Sequence, residues 1–361
     1  PRVSTPDQTL AAVTPEPPAA HPDGPVLVVL QDADGTLGRT DAEVLALART
    51  LGGGAPVVAV SHAAEPALAE IGAAGATRVV HPGPVDAAGS DALRAGLTAG
   101  VPGVLADVVE AAVGEVAPRF VLMAASPLAT DVAGTLAVRL DSAAVVDAAT
   151  LTPGAEGLEI TRQVLDASWS TTCALTRGVP VVTVQAGAVV GGNGPDAAPA
   201  AAVTGTGEPE SRELPVTLGE AAAAVRVVEH HVHESGSDIP LAGAEIVVVA
   251  GRGVGQDLAI ARELAAELGA ALGATRVVTE QGWAPRELQI GQSGVVVAPR
   301  LYLGLGVSGQ FHHVHGIRGS QYIVAVCDDP DAPIFEMADL GVVGDVYEVV
   351  PQLLAELRGG N

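Results

Sequence analysis

An arginine set between glycines, a turn of amides and a serine, and a histidine pair are the residues of this chain with the most chemistry to offer. Gly251-Arg252-Gly253-Val254-Gly255 holds a permanent guanidinium charge among residues without bulk. Where such a turn joins a strand to a helix, its backbone N–H groups can face a phosphate. A dinucleotide fingerprint needs a third glycine where Gln256 stands, so a plain tight turn remains the competing reading. Gln289-Ile290-Gly291-Gln292-Ser293-Gly294 sets amides and a hydroxyl where a ligand can approach the backbone. Amides both donate and accept, which suits a heteroaromatic ring with alternating carbonyl and N–H edges; a polar turn is the alternative.

Gly304-Leu305-Gly306-Val307-Ser308-Gly309-Gln310-Phe311-His312-His313 reads as a buried strand ending in small residues at a helix start, a second anion cradle. Ser308 is no hydrolase nucleophile, because the elbow pattern needs glycine where Gln310 stands. The runs His230-His231-Val232-His233 and His312-His313-Val314-His315 invite a metal reading. Neither is accompanied by an acid and cysteine set that completes a coordination shell, so no metal is expected.

Positioning these clusters requires strands and helices in alternation. Continuous β-branched runs at Val26–Leu30, Val57–Val60, Thr77–Val80 and Phe120–Ala124 read as buried parallel strands. Helical spacing at Asp41–Leu51, Glu65–Ile71, Val101–Val113 and Asp131–Leu140 separates them. Glu159–Ala167 and Val179–Gln185 suggest an antiparallel extension or sheet edge. A Gly, Pro and Ala-rich break at 186–240 reads as a linker, within which the patterning of Val216–His233 does not decide between strand and helix. Alternation then resumes with strands at Glu245–Val249, Thr275–Thr279, Val295–Ala298, Leu301–Leu305 and Ser320–Val326, and helices at Gln256–Leu268 and Tyr347–Leu357. The fold class is α/β in two domains, and residues 1–24 read as a disordered arm.

The chain has 361 residues, 48% of them hydrophobic, and a formal net charge of −24. Length suits two domains, and the acidity disfavours a nucleic-acid partner. Every basic residue is arginine. Cys173 and Cys327 stand outside any CxxC spacing, which argues against a disulfide framework and for a reducing compartment. Pro1–Pro25 carries no signal pattern and no apolar run is long enough for a bilayer, so a cytoplasmic protein without membrane insertion is expected.

Taken in order, Gly-Arg-Gly, Thr275-Arg276, Gln-x-Gly-Gln-Ser-Gly, Gly-Val-Ser-Gly with two histidines, and Asp329-Pro330-Asp331-Ala332-Pro333-Ile334-Phe335 are more specific than any one piece. The chain resembles the alpha subunit of electron transfer flavoproteins over Leu241 to Leu357, with Ala338-Asp339-Leu340-Gly341-Val342-Val343-Gly344-Asp345 completing the match. The likeness is looser over 25–185 and does not reach 1–24. It implies an N-terminal parallel-sheet domain (25–185) at a subunit interface, a linker or extension (186–240) about which the domains swivel, and a Rossmann-like FAD-binding domain (241–361).

Residue by residue, the resemblance places Arg252 close to a flavin and Thr275 in the position of a serine contact. Arg276 matches an arginine beside the isoalloxazine, where a fixed charge stabilises reduced, anionic flavin. Gln289, Ile290, Gly291, Gln292 and Ser293 match the loop around the ring, with the Ser293 hydroxyl near N5. Ser308, Gly309, Gln310, Phe311, His312 and His313 match the segment between ring and pyrophosphate, with His313 donating toward O2. Cys327, Asp345 and Val346 fall at the adenosine end. Arg276, His313 and Ser293 are the residues expected to tune the redox chemistry.

Several positions depart from the family pattern. Cys327 replaces asparagine, His312 replaces glutamine, Glu280-Gln281 replaces Asp-Ala, and the Ser-Gly-Glu that often follows Gly-Arg-Gly is missing. The implied function is electron carriage on FAD without transformation of a substrate. The implied partners are a beta subunit holding AMP or a second FAD, flavin dehydrogenases of the acyl-CoA type as in fatty acid β-oxidation, and a quinone oxidoreductase acceptor. A nicotinamide-nucleotide-binding oxidoreductase subunit and a flavin-free scaffold are the alternatives.

Overall fold

A computed structural model describes residues 23–359 apart from 33–34, 64, 84–86, 155–156, 165–168, 192–206, 230–238 and 242. Residues 1–22 of the expected arm (1–24) and the cluster His230, His231 and His233 lie outside the described residues.

The first unit begins with β1 (Val26–Val29), α1 (Arg39–Gly52), β2 (Val57–Val60), α2 (Leu68–Ala73), β3 (Arg78–Pro82), α3 (Ala87–Thr98), α4 (Pro102–Val116), β4 (Phe120–Ala124) and α5 (Pro127–Arg139). It continues through β5 (Ala144–Gly154), β6 (Gly157–Val164), β7 (Trp169–Ala174), β8 (Val181–Val190), β9 (Glu210–Leu214) and the single turn α6 (Glu220–Ala223). These strands form one sheet in the order β7-β6-β5-β8-β4-β1-β2-β3-β9, parallel except for the β5-β6-β7 extension. Successive residues of β1 face opposite cores. Val26 and Val28 pack with Leu45 and Leu47 of α1, while Leu27 and Val29 pack with Leu105 of α4 and Leu136 of α5. Burial on both faces is why the strand reads as a continuous apolar run. Helix ends follow local chemistry: the Ser126 hydroxyl accepts from the Ala129 N–H at 3.0 Å ahead of Pro127 at the start of α5, and Gly53 in the left-handed region ends α1.

The second unit comprises β10 (Ile246–Ala250), α7 (Ala259–Leu268), β11 (Ala271–Ala274), α8 (Arg276–Glu280), β12 (Leu301–Leu305), α9 (Phe311–His315), β13 (Tyr322–Cys327), β14 (Leu340–Val343) and α10 (Val346–Gly359). Its sheet runs β11-β10-β12-β13-β14, wholly parallel. By sequence that is the order 2-1-3-4-5, a doubly wound sheet whose direction reverses between β10 and β12. The α/β class and the two-domain organisation are as expected.

Four local expectations are corrected. Thr275–Thr279 is not a strand: the preceding Ala271–Ala274 pairs with β10, and Thr275 leads into α8. The β-branched run there opens a helix because Thr275 N–H already closes onto the Ala250 carbonyl at 2.9 Å, ending the ladder. Val295–Ala298 makes one isolated bridge, Ile290 to Val295, instead of a strand. Val179–Gln185 is no antiparallel edge, since β8 pairs in parallel with both β4 and β5 and Val181 and Val182 are fully buried. Within the expected linker 186–240, the end of β8 and all of β9 belong to the first sheet, β9 covering the edge of β3. Among the described residues no single helix is long and apolar enough to cross a membrane.

Candidate functional site

The carboxyl ends of the second sheet gather almost every residue singled out by chemistry. Thr275 and Arg276 follow β11, Gly251–Gly255 follow β10, Ser308–His313 follow β12, Cys327 ends β13, and Asp345 and Val346 join β14 to α10. With about 4.8 Å between strands, the edge from β11 to β14 spans roughly 19 Å. Open α/β sheets bind ligands outside this edge where the strand order reverses.

At the reversal the two glycine turns meet. Gly251 N–H donates to the Leu305 carbonyl at 2.8 Å and Gly253 N–H to the Gly306 carbonyl at 3.1 Å. A Cβ on Gly251 would lie 2.2 Å from the Gly306 oxygen, and Gly306, at φ +61°, sits against Gly253. The glycines therefore serve close approach of backbone to backbone. The expectation that this first turn presents amides to a phosphate is corrected: Gly253, Val254 and Gly255 N–H groups bond to Gly306, Gly251 and Arg252 carbonyls. That also weakens the nicotinamide alternative, which relied on this turn. The exposed Arg252 side chain is what the turn offers. The amides of Ser308 to His312, by contrast, make no hydrogen bond to other described backbone groups. Beside them Gly309, at φ +77°, seats against the Ile334 backbone.

Between β11 and β12 lies the amide turn. Ile290 N–H donates to the Ala274 carbonyl at 2.9 Å, anchoring the turn to the end of β11. Gly291, at φ +143°, presses on the His312 carbonyl, where a Cβ would come within 2.7 Å. Gln292 N–H donates to that carbonyl and Gln292 Oε1 meets His312 Nδ1 at 2.8 Å. Gln292, Ser293, His312, Gln310 and Phe311 are exposed, and Phe311 stands edge-on to His312 with centroids 5.7 Å apart. Gln289 differs from this expectation, being buried with its amide bonded to Thr279 and Ser293. Arg276 is exposed and ion-paired through its Nε to Glu280 Oε1 at 2.7 Å.

His313 also departs from its expected role. It is buried, its Nδ1 lies 3.1 Å from the Ile290 carbonyl and its Nε2 lies 2.8 Å from the Tyr302 hydroxyl. A carbonyl only accepts, so Nδ1 carries the proton and Nε2 accepts from Tyr302. Burial pushes the imidazole down to about 4, opposed by the bond to Ile290. At neutral pH the ring is uncharged and both nitrogens are engaged within the protein. Cys327 is buried with its thiol beside Asp328, and Asp345 Oδ1 accepts from Tyr347 N–H at 2.8 Å at the start of α10.

Residues 26–218 match the model of the electron transfer flavoprotein domain, and residues 240–318 that of the electron transfer flavoprotein FAD-binding domain. The chain is 37% identical over 336 residues to the electron transfer flavoprotein subunit alpha of Mycobacterium tuberculosis, covering 92% of this chain and 98% of that one. It belongs to the electron transfer flavoprotein alpha-subunit family. The alpha subunit of Paracoccus denitrificans is 49% identical over 124 residues, 34% of this chain and 40% of that protein. The mitochondrial alpha subunit of Oryza sativa subsp. indica is 50% identical over 119 residues, 32% of this chain and 33% of that one.

In this electron transfer flavoprotein alpha chain, sequence reasoning passed over Tyr302 and Thr279, and took Glu280 only as a departure. Tyr302 was detectable as a tyrosine inside a buried strand, since a buried phenol needs a hydrogen-bond partner. Thr279 carried no such mark.

Proposed function

We propose that this chain is the alpha subunit of a heterodimeric electron transfer flavoprotein that holds one FAD extended along the carboxyl edge of its second sheet. The supporting observation is the single edge of roughly 19 Å, along which an exposed arginine, a polar turn, a run of unspent amides and the start of α10 succeed one another. The glycine contacts at the strand reversal leave backbone, not side chains, at the middle of that edge. In this reading the ring lies by Arg276, Ile290, Gly291, Gln292 and Ser293. The pyrophosphate lies on the amides from Ser308 to His312, and the adenosine lies toward Cys327, Asp345 and Val346. Arg252 and Thr275 flank the ring end.

When bound, FAD supplies reversible one- and two-electron chemistry. Arg276 supplies the fixed positive charge that favours negative charge on the ring, moderated by Glu280, its partner on the same helix face. Neutral His313 supplies no charge; through Tyr302 and Ile290 it holds the amide turn against β12. Electrons arrive from flavin dehydrogenases of the acyl-CoA type and leave to a quinone oxidoreductase. A beta subunit holding AMP or a second FAD completes the dimer in the cytoplasm. The test is a visible spectrum of the chain purified with its beta subunit, followed by anaerobic stepwise reduction. About one FAD per dimer is expected where the beta subunit holds AMP, and about two where it holds a second FAD. A colourless complex that takes up no added FAD would sink the proposal.

A further inference from the structure

We infer that Gln289 is a positioning residue which, with Thr279, fixes the Ser293 hydroxyl as an outward hydrogen-bond donor; the inference rests on the flavin reading of the same edge. Gln289 is 2% exposed and bridges to Ala274 at the end of β11, so its amide is held away from any ligand on the edge. Its Nε2 lies 3.3 Å from the Ser293 carbonyl oxygen and 3.0 Å from Ser293 Oγ, and its Oε1 lies 2.8 Å from Thr279 Oγ1.

These contacts fix which way the Gln289 amide faces. A carbonyl oxygen has only lone pairs, so the donor end of the amide must face Ser293 and its acceptor end must face Thr279. Thr279 then donates to Gln289 Oε1, and Gln289 donates to Ser293 Oγ. With the inward side of Oγ taken by the Gln289 N–H, the Ser293 proton is left to the outward side, where the serine is exposed. Thr279 Oγ1 also lies 3.0 Å from the Arg276 carbonyl, so its one proton is shared between that carbonyl and the nearer Gln289 Oε1, which ties the relay to the helix that carries the arginine. An unrestrained serine hydroxyl samples several staggered positions, and only some aim its proton at a given ligand atom. Holding it in one lowers the ordering cost when a ring nitrogen arrives. A fixed donor beside a flavin nitrogen favours uptake of the first electron.

The test compares FAD-loaded heterodimers of the full chain: wild type, Gln289→Met, Ser293→Ala and the double variant. Its readouts are the first one-electron potential and the 15N shift of N5 in labelled FAD. Gln289→Met is expected to move both in the direction of Ser293→Ala, by up to about tenfold in the reduction equilibrium. It is expected to add nothing in the Ser293→Ala background. Additive effects, or an unmoved N5 signal in Gln289→Met, would overturn the inference. Should Gln289→Met not fold, Thr279→Val removes the hydroxyl that holds the acceptor end of the amide; its N5 signal is expected to move toward that of Ser293→Ala, and an unmoved signal overturns the inference. Should the wild type take up no FAD, the flavin reading fails, and the relay is read by NMR in the ligand-free chain. Protected Gln289 amide protons that lose protection in Ser293→Ala support the relay, and freely exchanging ones reject it.

Discussion

At the scale of single residues, the second domain holds a buried neutral pair and an exposed charged one. Tyr302 is fully buried, and burial holds its phenol protonated, so that it donates to His313 Nε2. Tyr302→Phe removes that donor and leaves a buried acceptor unpaired, a loss of about 1–3 kcal/mol in unfolding free energy. Chemical denaturation measures it, and an unchanged midpoint would mean that His313 has another donor. On α8, Arg276 and Glu280 are joined across one helical turn with side chains 59% and 53% exposed. Exposed pairs of this kind contribute little to stability, so Glu280→Gln is expected to leave unfolding within about 0.5 kcal/mol of wild type. It also removes a negative charge beside the guanidinium, and the potential of bound FAD is expected to rise. A potential that stays put would remove Glu280 from any part in tuning the flavin.

At the scale of elements, the meeting of the β10 and β12 turns carries the geometry of the edge. Gly306→Ala places a Cβ 2.6 Å from Gly253 Cα at a backbone with φ +61°, whereas Gly269, at φ +60° after α7, has nothing within 4 Å. Gly269→Ala should therefore cost only the left-handed backbone strain, about 1 kcal/mol. Gly306→Ala should cost that plus the displacement of a neighbouring strand end, more than about 2 kcal/mol, together with FAD uptake. Equal losses in thermal melts would contradict the close-approach account. Glycine spacing was legible in the sequence, but its purpose was not: Gly251-Arg252-Gly253 reads as a phosphate turn until its amides are seen to bond within the protein. The central strands were legible because burial on both faces leaves β-branched runs such as Val57–Val60. Elements whose residues lack that signature were not. β9 (Glu-Ser-Arg-Glu-Leu) is mostly exposed and is defined by pairing with β3, and β14 is an exposed edge. α9 is a single turn of histidines. Ser293 could be named from its turn, but its donor Gln289 could not be separated from the ligand-facing amides without knowing which of them is buried.

At the scale of the molecule, each domain holds a buried group whose titration burial displaces, Asp41 in the first and His313 in the second, and the two respond to pH with opposite sign. In the first domain Asp41, in the first turn of α1, is 2% exposed, and its Oδ1 has no hydrogen-bond partner. Burial raises its carboxyl from 3.8 to about 7, the Gln31 N–H opposing and nearby Asp32 adding. The folded state therefore binds this proton more tightly than the unfolded chain. Its contribution is greatest below pH 3.8 and is lost as pH rises to about 7. For His313, lowered from 6.5 to about 4, the unfolded chain holds the proton more tightly, so its contribution is full above pH 6.5 and is lost as pH falls toward 4. At about 1.4 kcal/mol per unit, each amounts to a few kcal/mol. Asp41→Asn keeps an acceptor for Gln31 and removes the charge that ionisation would bury. It is expected to raise stability by a few kcal/mol at pH 8 and by little near pH 4. His313→Gln is expected to flatten the rise in stability between pH 4 and 6.5. Hydrogen exchange resolves the domains, because the slowest amides of β1 and β10 report the two sheets separately. Each variant should change the pH slope of its own sheet and leave the other as in wild type. A change of the same sign in both sheets would mean that the two domains unfold as one cooperative unit, with neither group governing its own domain.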